Sequence, residues 1–349
     1  MPKLRETLKH LTEDSATLTR EEARATLHEM LSGDATDIEI TALLTLLATR
    51  GETVEELTGF AEAMRTLSLP IPLTDAERAE LVDTCGTGGG DRSTFNVSTG
   101  AALVAAAAGA RIAKHGNRSV TSQCGSADVL ETLGVATALS PQQSVDCLRA
   151  TGFMFLYAPA LHPAMKRVQP VRRALGFRTI FNLAGPLTNP AYAPAQVMGV
   201  AVHTQLSLAA NTMAHLGIRR AFVVHGSDGL DEITVTGEST LAEVRDRSVA
   251  FYRAKPQDAG LQIGAYGELM GGDAAANAAV LEAIFRGEPG PRRDIVLLNA
   301  AAALIVAELA EELEEGVRLA AHAIDSGAAS RTLEALRKFS RSVQTPPAL

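Results

Sequence analysis

A glycine-rich segment that continues into a small-residue helix and a short strand is the feature that most constrains this chain. It runs from Asp83 to Glu131 and reads DTCGTGGGDRSTFNVSTG, then AALVAAAAGARIA, then KHGNRSVTSQCGSADVLE. Glycine permits positive φ angles and leaves backbone N–H groups uncovered, and several such groups together can bind an anion. The pattern predicts a glycine turn, a helix and a short strand in succession.

Short polar side chains and two cations accompany the glycines. Asn96, Ser98 and Thr99 precede the helix, and Lys114 and Arg118 follow the strand. Because a helix N-terminus attracts anions through its unpaired N–H groups, these features predict a site for a polyanionic phosphate ester, with both cations at the same edge. The alternative is an ordinary tight turn between a strand and a helix, which the glycines alone fit equally well.

Two familiar phosphate-binding motifs are excluded. No Lys-Ser or Lys-Thr pair follows the glycines, so the segment is not a Walker A loop. Asp91 stands where the dinucleotide-binding pattern GxGxxG requires its third glycine. The phosphate hypothesis therefore depends on the whole segment rather than on either motif.

Size, charge and cysteine content limit the class of protein. The 349 residues exceed one compact core, so two domains are expected. A net charge of −8 opposes a general nucleic-acid or acidic-membrane surface, so an anion site must be local. Cys85, Cys124 and Cys147 fit neither a disulfide framework nor the spacing of a zinc site, and we interpret them as small buried residues. The first residues lack an apolar leader, and no apolar run reaches membrane-spanning length, which predicts a cytosolic protein.

The first 70 residues predict a small all-α domain of four helices. Thr19, Thr36 and Thr53 are each followed three residues later by glutamate, a capping-box pattern that begins a helix. Pro70 and Pro72 favour an extended connector, which we interpret as a linker. Four short amphipathic helices have more apolar surface than they bury among themselves, so the excess faces the rest of the chain or another subunit.

Strand and helix patterns alternate after the linker. Strands are predicted at 111–114, 152–157, 196–202 and 221–224 and less clearly at 248–252, and helices at 100–109, 127–133, 141–151, 206–216, 273–285, 292–309, 311–324 and 328–339. The alternation predicts an α/β fold, in which the small all-α domain accompanies a larger domain with a mostly parallel central sheet flanked by helices.

Two further polar groups each allow two interpretations. Arg172, Arg173 and Arg178 could form a solvated helix face, which the residues alone favour, or could bind a carboxylate through the guanidinium fork. Asp231 and Glu232 follow a predicted strand, where they could form a polar turn or bind Mg²⁺. The magnesium hypothesis is physically reasonable because Mg²⁺ prefers carboxylate oxygens and α/β sheets bind ligands beyond the carboxyl ends of their strands.

Taken together, these segments resemble the anthranilate phosphoribosyltransferase family. The family carries a DxxGTGGD turn, an NxST segment, a KHGNRxxSxxxGSAD run, an RxxLGxRTxFNxxGPLTNP run and a GxDGxDE turn. The corresponding segments, in the same order, are Asp83–Gly90, Asn96–Thr99, Lys114–Asp128, Arg172–Pro190 and Asp228–Glu232. Several long motifs in register are far more specific than one short pattern.

The resemblance implies a reaction and an assembly. The chain would transfer the phosphoribosyl group of 5-phosphoribosyl 1-pyrophosphate, the donor, to the amine of anthranilate, the acceptor, in tryptophan biosynthesis. The resemblance also implies Mg²⁺ as cofactor and a homodimer formed through the N-terminal helical domain. The implied small domain comprises residues 1–70, joined in space by helices from about 163–195, and the donor-binding large domain comprises 74–162 and 196–349.

The same resemblance assigns roles to individual residues. The implied donor-binding residues are Gly86, Gly89, Gly90, Asp91, Thr94, Asn96, Ser98, Thr99, Lys114, Ser122 and Ser126. The implied acceptor-binding residues are Gly86, His115, Asn117, His162, Arg172, Gly185 and Pro186, and the implied Mg²⁺ ligands are Ser98, Asp231 and Glu232. Lys114, Asn117 and Arg172 are expected to be catalytic, His115 to pack or contact substrate rather than act as an obligatory base, and Arg178 and Asn182 to be structural.

The match has two departures and leaves two rival functions. Gly90 stands at the family's aspartate, with Asp91 displaced by one, so Asp91 either reaches the same ligand or loses its hydrogen bond; Gln123 replaces a lysine of many relatives. The rivals are a pyrimidine nucleoside phosphorylase and a non-enzymatic nucleic-acid-binding relative, both of related fold. The NxST and KHGN runs oppose the first rival, and the acidic charge with Asp231 and Glu232 opposes the second.

Overall fold

The computed structural model describes residues 4–13, 16–33, 35–88, 94–119 and 123–344. An N-terminal helical bundle precedes a larger domain, which is built on a seven-stranded, mostly parallel sheet flanked by helices. This architecture confirms the fold class predicted from the sequence.

The N-terminal bundle contains four helices: α1 (Leu4–Thr12), α2 (Arg20–Ser32), α3 (Asp37–Arg50) and α4 (Val54–Thr66). All three capping boxes form as predicted, because Thr19, Thr36 and Thr53 each accept from the backbone N–H of the glutamate three residues later. Apolar side chains on the facing sides of the helices, including Leu27 and Phe60, are fully buried.

The larger domain alternates strands and helices. Its strands are β1 (Leu81–Asp83), β2 (Arg111–Gly116), β3 (Phe153–Tyr157), β4 (Ala195–Gly199), β5 (Arg220–Gly226), β6 (Ser239–Arg245) and β7 (Ser248–Ala254). Its helices are α5 (Asp75–Ala79), α6 (Val97–Ala107), α7 (Ser126–Thr132), α8 (Pro141–Thr151), α9 (Ala158–Leu161), α10 (Gln169–Leu175), α11 (Ile180–Ala184), α12 (Gln205–His215), α13 (Ala274–Phe285), α14 (Pro291–Val306), α15 (Leu313–Asp325) and α16 (Ala328–Gln344). None of the helices in the described part of the chain is both long and apolar enough to cross a bilayer.

The sheet has the strand order β3-β2-β1-β4-β5-β6-β7. The first five strands in this order are parallel, whereas β6 and β7 form an antiparallel hairpin at the edge. Strand β6 was not predicted from the sequence. Its hairpin turn uses Asp246 and Arg247, both at positive φ, rather than the glycine or asparagine that usually marks such a turn.

Alternate residues of the central strands pack against different layers. In β5, Phe222 and Val224 join a core formed with α6, α14 and the C-terminal helices, whereas Ala221 and Val223 face α12 and the helical bundle. This alternation is the two-residue period of a strand that is buried on both faces. The sheet is therefore covered on both sides, and the edge beyond its carboxyl ends lies between the covering layers.

The segment between β3 and β4 contacts the N-terminal bundle. Phe181 of α11 packs against Phe60 of α4 with ring centroids 5.9 Å apart. Arg167, in a 3₁₀ helix at Pro163–Arg167, donates to the carboxylate of Asp37 at 2.6 Å. Val171 of α10 belongs to the same apolar cluster as the bundle helices. Residues distant in sequence thus share one apolar core with the bundle.

Candidate active site

The strand order reverses between β1 and β4, which is where α/β sheets bind ligands. From β1 the sheet continues to β2 and β3 on one side and to β4 and β5 on the other. A cavity of about 830 Å³ opens at this point, lined by residues that follow the carboxyl ends of the parallel strands.

Most residues predicted for the site line this one cavity. They are Gly86, Asn96, Ser98, Thr99, Lys114, His115, Asn117, Ser126, His162, Arg172, Gly185, Pro186, Asp231 and Glu232. Thr94 does not line it, and its backbone instead forms an isolated bridge with Met270. Gly89, Gly90, Asp91 and Ser122 lie outside the described residues, as does the Gly90–Asp91 departure.

The first part of the glycine turn contacts the end of β4 and the carboxylate loop. The N–H of Gly88, which has φ +59°, donates to Oδ2 of Asp231 at 3.0 Å. The N–H of Thr87 donates to the carbonyl of Gly199 at 2.9 Å. A Cβ on Gly199 would lie 1.7 Å from the Asp231 carbonyl oxygen, so only glycine allows this approach. These contacts fix the position of Asp231 at the cavity.

Helix α6 directs its N-terminus toward the cavity. Asn96 precedes the helix but does not cap it, since its side chain instead accepts from Nδ2 of Asn277 at 2.9 Å and donates to the Cys124 carbonyl at 3.3 Å. The N–H of Ser98 stabilises the Glu232 carboxylate, and the hydroxyl of Thr99 is buried without a hydrogen-bond partner among the described residues. The first turn therefore offers polar groups to an anion in the cavity.

Lys114 is a buried cation at the carboxyl end of β2, with only 2% of its surface exposed. Its Nζ donates to the carbonyl of Thr84 at 2.5 Å and lies 3.4 Å from Oγ of Ser98. No carboxylate of the described residues forms a salt bridge with it, and burial lowers its pKa. The ammonium therefore remains available to a negatively charged ligand.

Arg118 does not supply the positive charge that the sequence analysis expected at this edge. Its guanidinium binds Asp128 at 3.0 Å and Glu131 at 2.7 Å, and its side chain is half exposed. Both predicted cations therefore line the cavity, but the charge of Arg118 is compensated by these two carboxylates, whereas Lys114 has no such partner among the described residues.

Asp231 and Glu232 are adjacent carboxylates that both face the cavity. Burial raises the pKa of Asp231, and burial together with the Asp231 charge raises the pKa of Glu232 to about 8. Neither forms a salt bridge within the part of the chain that the structure describes. Two desolvated carboxylates without a paired cation suit a hard divalent ion.

Two residues near these carboxylates were not assigned to the site from the sequence. Arg178, interpreted as structural, lines the cavity close enough to Asp231 to lower the pKa of that carboxyl. Asn299 of α14 binds both backbone groups of Ile233, accepting from its N–H at 3.0 Å and donating to its carbonyl at 2.8 Å. A lone asparagine in the apolar α14 was the sequence signal that could have identified Asn299.

Two buried histidines meet on another part of the cavity wall. The Nε2 atoms of His115 and His162 lie 3.2 Å apart. Burial lowers the pKa of both, and that of His162 falls to about 4. Both imidazoles are therefore neutral at pH 7, so they can exchange hydrogen bonds with a substrate without adding charge.

Arg172 differs from the other cations around it. Its guanidinium lies 5.2 Å from the ring centroid of Phe181, is partly buried, and has no hydrogen bond or ion pair among the described residues. Burial lowers its pKa. Arg173 is exposed and Arg167 is paired with Asp37. The carboxylate-binding interpretation thus fits Arg172, and the solvated-face interpretation fits Arg173.

Buried side chains hold the turn that contains Gly185 and Pro186. Gln196 of β4 donates to the Pro186 carbonyl at 2.7 Å, and Arg65 of α4 donates to the Leu187 carbonyl at 2.8 Å. The sequence analysis singled out neither residue, although a glutamine within an apolar strand was a signal for Gln196. The turn is thereby held by both the sheet and the helical bundle.

The chain is similar to known proteins over nearly its full length. The glycosyl transferase family matches through its a/b domain over residues 78–330 and its helical bundle domain over residues 5–68. Anthranilate phosphoribosyltransferase of Symbiobacterium thermophilum is 49% identical over 95% of this chain and 96% of its own length. The protein of that name from Solibacter usitatus is 49% identical over 93% and 95%.

Solved structures give the same result. A crystal structure of anthranilate phosphoribosyltransferase from Thermus thermophilus superposes with a TM-score of 0.90 at 39% identity, covering 98% of this chain and 100% of that one. The enzyme from Saccharomyces cerevisiae in complex with PRPP and Mg superposes with a TM-score of 0.88 at 27% identity, covering 97% and 98%.

Proposed function

Because the chain belongs to the anthranilate phosphoribosyltransferase family, we infer that its cavity transfers the phosphoribosyl group of 5-phosphoribosyl 1-pyrophosphate to the amine of anthranilate. The products are N-(5-phosphoribosyl)anthranilate and pyrophosphate, a step in tryptophan biosynthesis. One observation carries this conclusion: a single cavity contains a buried ammonium, a helix N-terminus, two half-buried carboxylates and a guanidinium that pairs with none of the described residues.

The reaction makes one bond and breaks another at C1 of the ribose. The anthranilate nitrogen attacks C1, the bond from C1 to the pyrophosphate oxygen breaks, and the nitrogen loses a proton. Negative charge grows on the leaving pyrophosphate, so fixed positive groups stabilise the transition state. We assign this role to Lys114 and to the N–H groups of the glycine turn and of α6. An arylamine is neutral near pH 7 and needs no base before it attacks.

We propose that Asp231, Glu232 and Ser98 hold Mg²⁺. The two half-buried carboxylates lack a salt-bridge partner among the described residues, and the N–H of Ser98 is next to Glu232. The structure of the yeast enzyme in complex with PRPP and Mg supports a metal site in this family. When bound, Mg²⁺ would neutralise charge on the pyrophosphate. Gly86, Asn96, Thr99 and Ser126 would contact the donor.

The acceptor would bind through its carboxylate. The guanidinium of Arg172, which pairs with none of the described residues, has the fork that suits a planar oxyanion. His115, Asn117, His162, Gly185 and Pro186 would form the surrounding wall. These residues orient the amine toward C1, which is the main requirement for a nucleophile that is already neutral.

Domain boundaries and assembly are proposals as well. We assign residues 1–70, together with the helices of about 163–195, to the small domain, and residues 74–162 and 196–349 to the large domain. Support comes from the shared apolar core and the contacts of Phe181 and Arg167 with the bundle. The homodimer through the helical domain and the cytosolic location stay predictions.

The test measures pyrophosphate released from the donor with anthranilate as acceptor. We expect release that requires Mg²⁺ and ceases with EDTA. Phosphorolysis of a pyrimidine nucleoside without such release would favour the phosphorylase rival. Salt-sensitive retention on heparin without either activity would favour the nucleic-acid-binding relative.

A variant pair tests the metal assignment. Asp231→Asn with Glu232→Gln keeps side-chain volume and removes both charges, so we expect Mg²⁺-dependent turnover to be lost while the circular dichroism spectrum is retained. Glu238→Gln, at a glutamate paired with Arg253 on the same segment, is the control and should keep turnover. Full turnover in the double variant would remove both carboxylates from the mechanism.

A further inference from the structure

Three potential metal ligands meet behind the glycine turn. Asp83 is the last residue of β1, Cys85 follows it in the turn, and His115 lies on the neighbouring parallel strand β2. One ligand atom from each side chain lies within 4.8 Å of the others. The backbone N–H of His115 also donates to Oδ1 of Asp83 at 3.0 Å, which ties the two strands together at this point.

The Asp83 carboxylate is incompletely satisfied. The residue is fully buried, and its Oδ2 accepts no hydrogen bond of ordinary geometry from the described residues. Burial raises its pKa to about 6, although the amide of Asn189 is near enough to oppose this shift. At neutral pH a buried anion with one unsatisfied oxygen therefore faces a thiol and an imidazole.

We propose that Asp83, Cys85 and His115 form a binding site for a thiophilic divalent metal ion such as Zn²⁺, and that occupation of this site inhibits acceptor binding. Zn²⁺ is commonly bound by carboxylate, thiolate and imidazole ligands. Binding replaces the thiol proton of Cys85, which leaves to solvent, so the ion, one carboxylate, one thiolate and a neutral imidazole sum to zero charge. A neutral assembly is the favourable form in a buried site.

The ligand types separate this site from the Mg²⁺ carboxylates. Mg²⁺ prefers six oxygen ligands, whereas a thiolate selects Zn²⁺ or Co²⁺. Asp231 and Glu232 contribute oxygens only. The Lys114 ammonium interacts with both Asp83 and Cys85, and its positive charge lowers the affinity for a metal. We therefore expect the site to bind zinc only when the zinc concentration is raised, and not to be a permanent structural centre.

We expect inhibition because two of the proposed zinc ligands belong to the wall of the active-site cavity. Cys85 and His115 both line the cavity, and the ring of His115 contacts His162. A metal that takes a ring nitrogen of His115 removes that nitrogen from its present partner and alters the wall assigned to the acceptor.

The binding test uses Co²⁺ in place of Zn²⁺, without substrates. We expect the wild-type protein to develop the near-ultraviolet absorption of a cobalt–thiolate bond, and Zn²⁺ to abolish it by displacement. Cys124→Ser, at a second cavity-lining cysteine, should retain the band, and Cys85→Ser should lose it. A wild-type protein without the band, or a Cys85→Ser protein that retains it, overturns the proposal.

The inhibition test rests on the proposed function. At saturating Mg²⁺ and donor, Zn²⁺ should raise the KM for anthranilate of the wild-type protein and of Cys124→Ser by at least tenfold. Cys85→Ser, compared with its own activity without zinc, should show less than a twofold effect. Equal inhibition of Cys85→Ser would place the zinc at Asp231 and Glu232 or on the donor and contradict the proposal. Absence of turnover in every protein would instead contradict the proposed function, while the cobalt result would still decide the metal site.

Discussion

Burial controls the charges of the single residues that line the cavity. It lowers the pKa of Lys114, His115 and His162 and raises the pKa of Asp231 and Glu232. Each change favours the neutral form of a group, which is the expected result of removing water around it. A polyanionic donor favours the charged form of Lys114, and its metal ion favours the charged forms of the two carboxylates. Ligand binding and protonation are therefore coupled in this cavity.

Arg172 provides a residue-level test of acceptor recognition. Arg172→Ala should raise the KM for anthranilate by about 10- to 150-fold, because a hydrogen bond to a charged group contributes roughly 1.5–3 kcal/mol. The KM for the donor should change little. Arg318→Ala is the control, because Arg318 is an exposed arginine of α15 that does not line the cavity. A variant whose donor KM alone rises would contradict the assignment.

His162 provides a test by pH and stability. Its pKa lies at about 4 in the folded protein and 6.5 in the unfolded chain, so between these values only the unfolded chain binds the proton. The contribution of the neutral imidazole to the free energy of unfolding is therefore fully present above pH 6.5. It is lost as the pH falls toward 4, which lowers the free energy of unfolding by up to roughly 3 kcal/mol.

Denaturant unfolding at several pH values would measure this effect as the difference in the free energy of unfolding between wild type and His162→Asn. The raised pKa of Asp83 changes stability in the opposite direction, but it does so in both proteins and therefore cancels in the difference. We expect the variant to lose part of the acid sensitivity. His322→Asn, at an exposed histidine of α15, should retain it. Parallel pH profiles for wild type and His162→Asn would contradict the buried neutral imidazole.

At the level of elements, the sequence predicted those parts of the site that lie within one motif. The glycine turn, the start of α6 and the Asp231–Glu232 pair each follow a local pattern. Side chains that act across elements were missed, since Gln196, Arg65 and Asn299 reach segments far away in the chain. The Asp83–Cys85–His115 cluster was also hidden, because it depends on the pairing of β1 with β2.

The turn at Gly185 and Pro186 yields an element-level prediction. Gln196→Met preserves the shape of the side chain but leaves the buried Pro186 carbonyl without its donor, at a cost of roughly 1–3 kcal/mol. We expect the KM for anthranilate to rise while the donor KM is retained. Gln142→Met, at an exposed glutamine of α8 that bonds Asp146, is the control. Equal changes in both KM values would indicate a general loss of structure.

Across the whole molecule, the fold class was predictable because strand and helix periodicities alternate over a long stretch. Strand β6, and with it the hairpin, escaped prediction for a physical reason, namely that the turn between β6 and β7 has left-handed backbone without glycine. The association of α10 and α11 with the bundle could be expected only from the resemblance. Their apolar residues, such as Val171 and Ile180, have no sequence feature that identifies a distant partner.

The predicted homodimer can be tested at this scale. Ile38 of α3 is 82% exposed on the helical bundle, and covering this apolar side chain with another subunit would be favourable. Light scattering after size exclusion should give a dimer mass for wild type and a monomer mass for Ile38→Glu. Phe251→Glu, at a residue 53% exposed on β7, should remain dimeric. A monomeric wild type, or dissociation by Phe251→Glu alone, would contradict an interface on the helical domain.

The central claim is that this cavity joins anthranilate to a phosphoribosyl group. The most direct measurement follows the fluorescence of anthranilate with purified protein, phosphoribosyl pyrophosphate and Mg²⁺, beside samples without donor and with EDTA. We predict a loss of fluorescence that requires the donor and the metal together, with a product whose mass is that of N-(5-phosphoribosyl)anthranilate. Constant fluorescence from a folded protein under these conditions would contradict the claim.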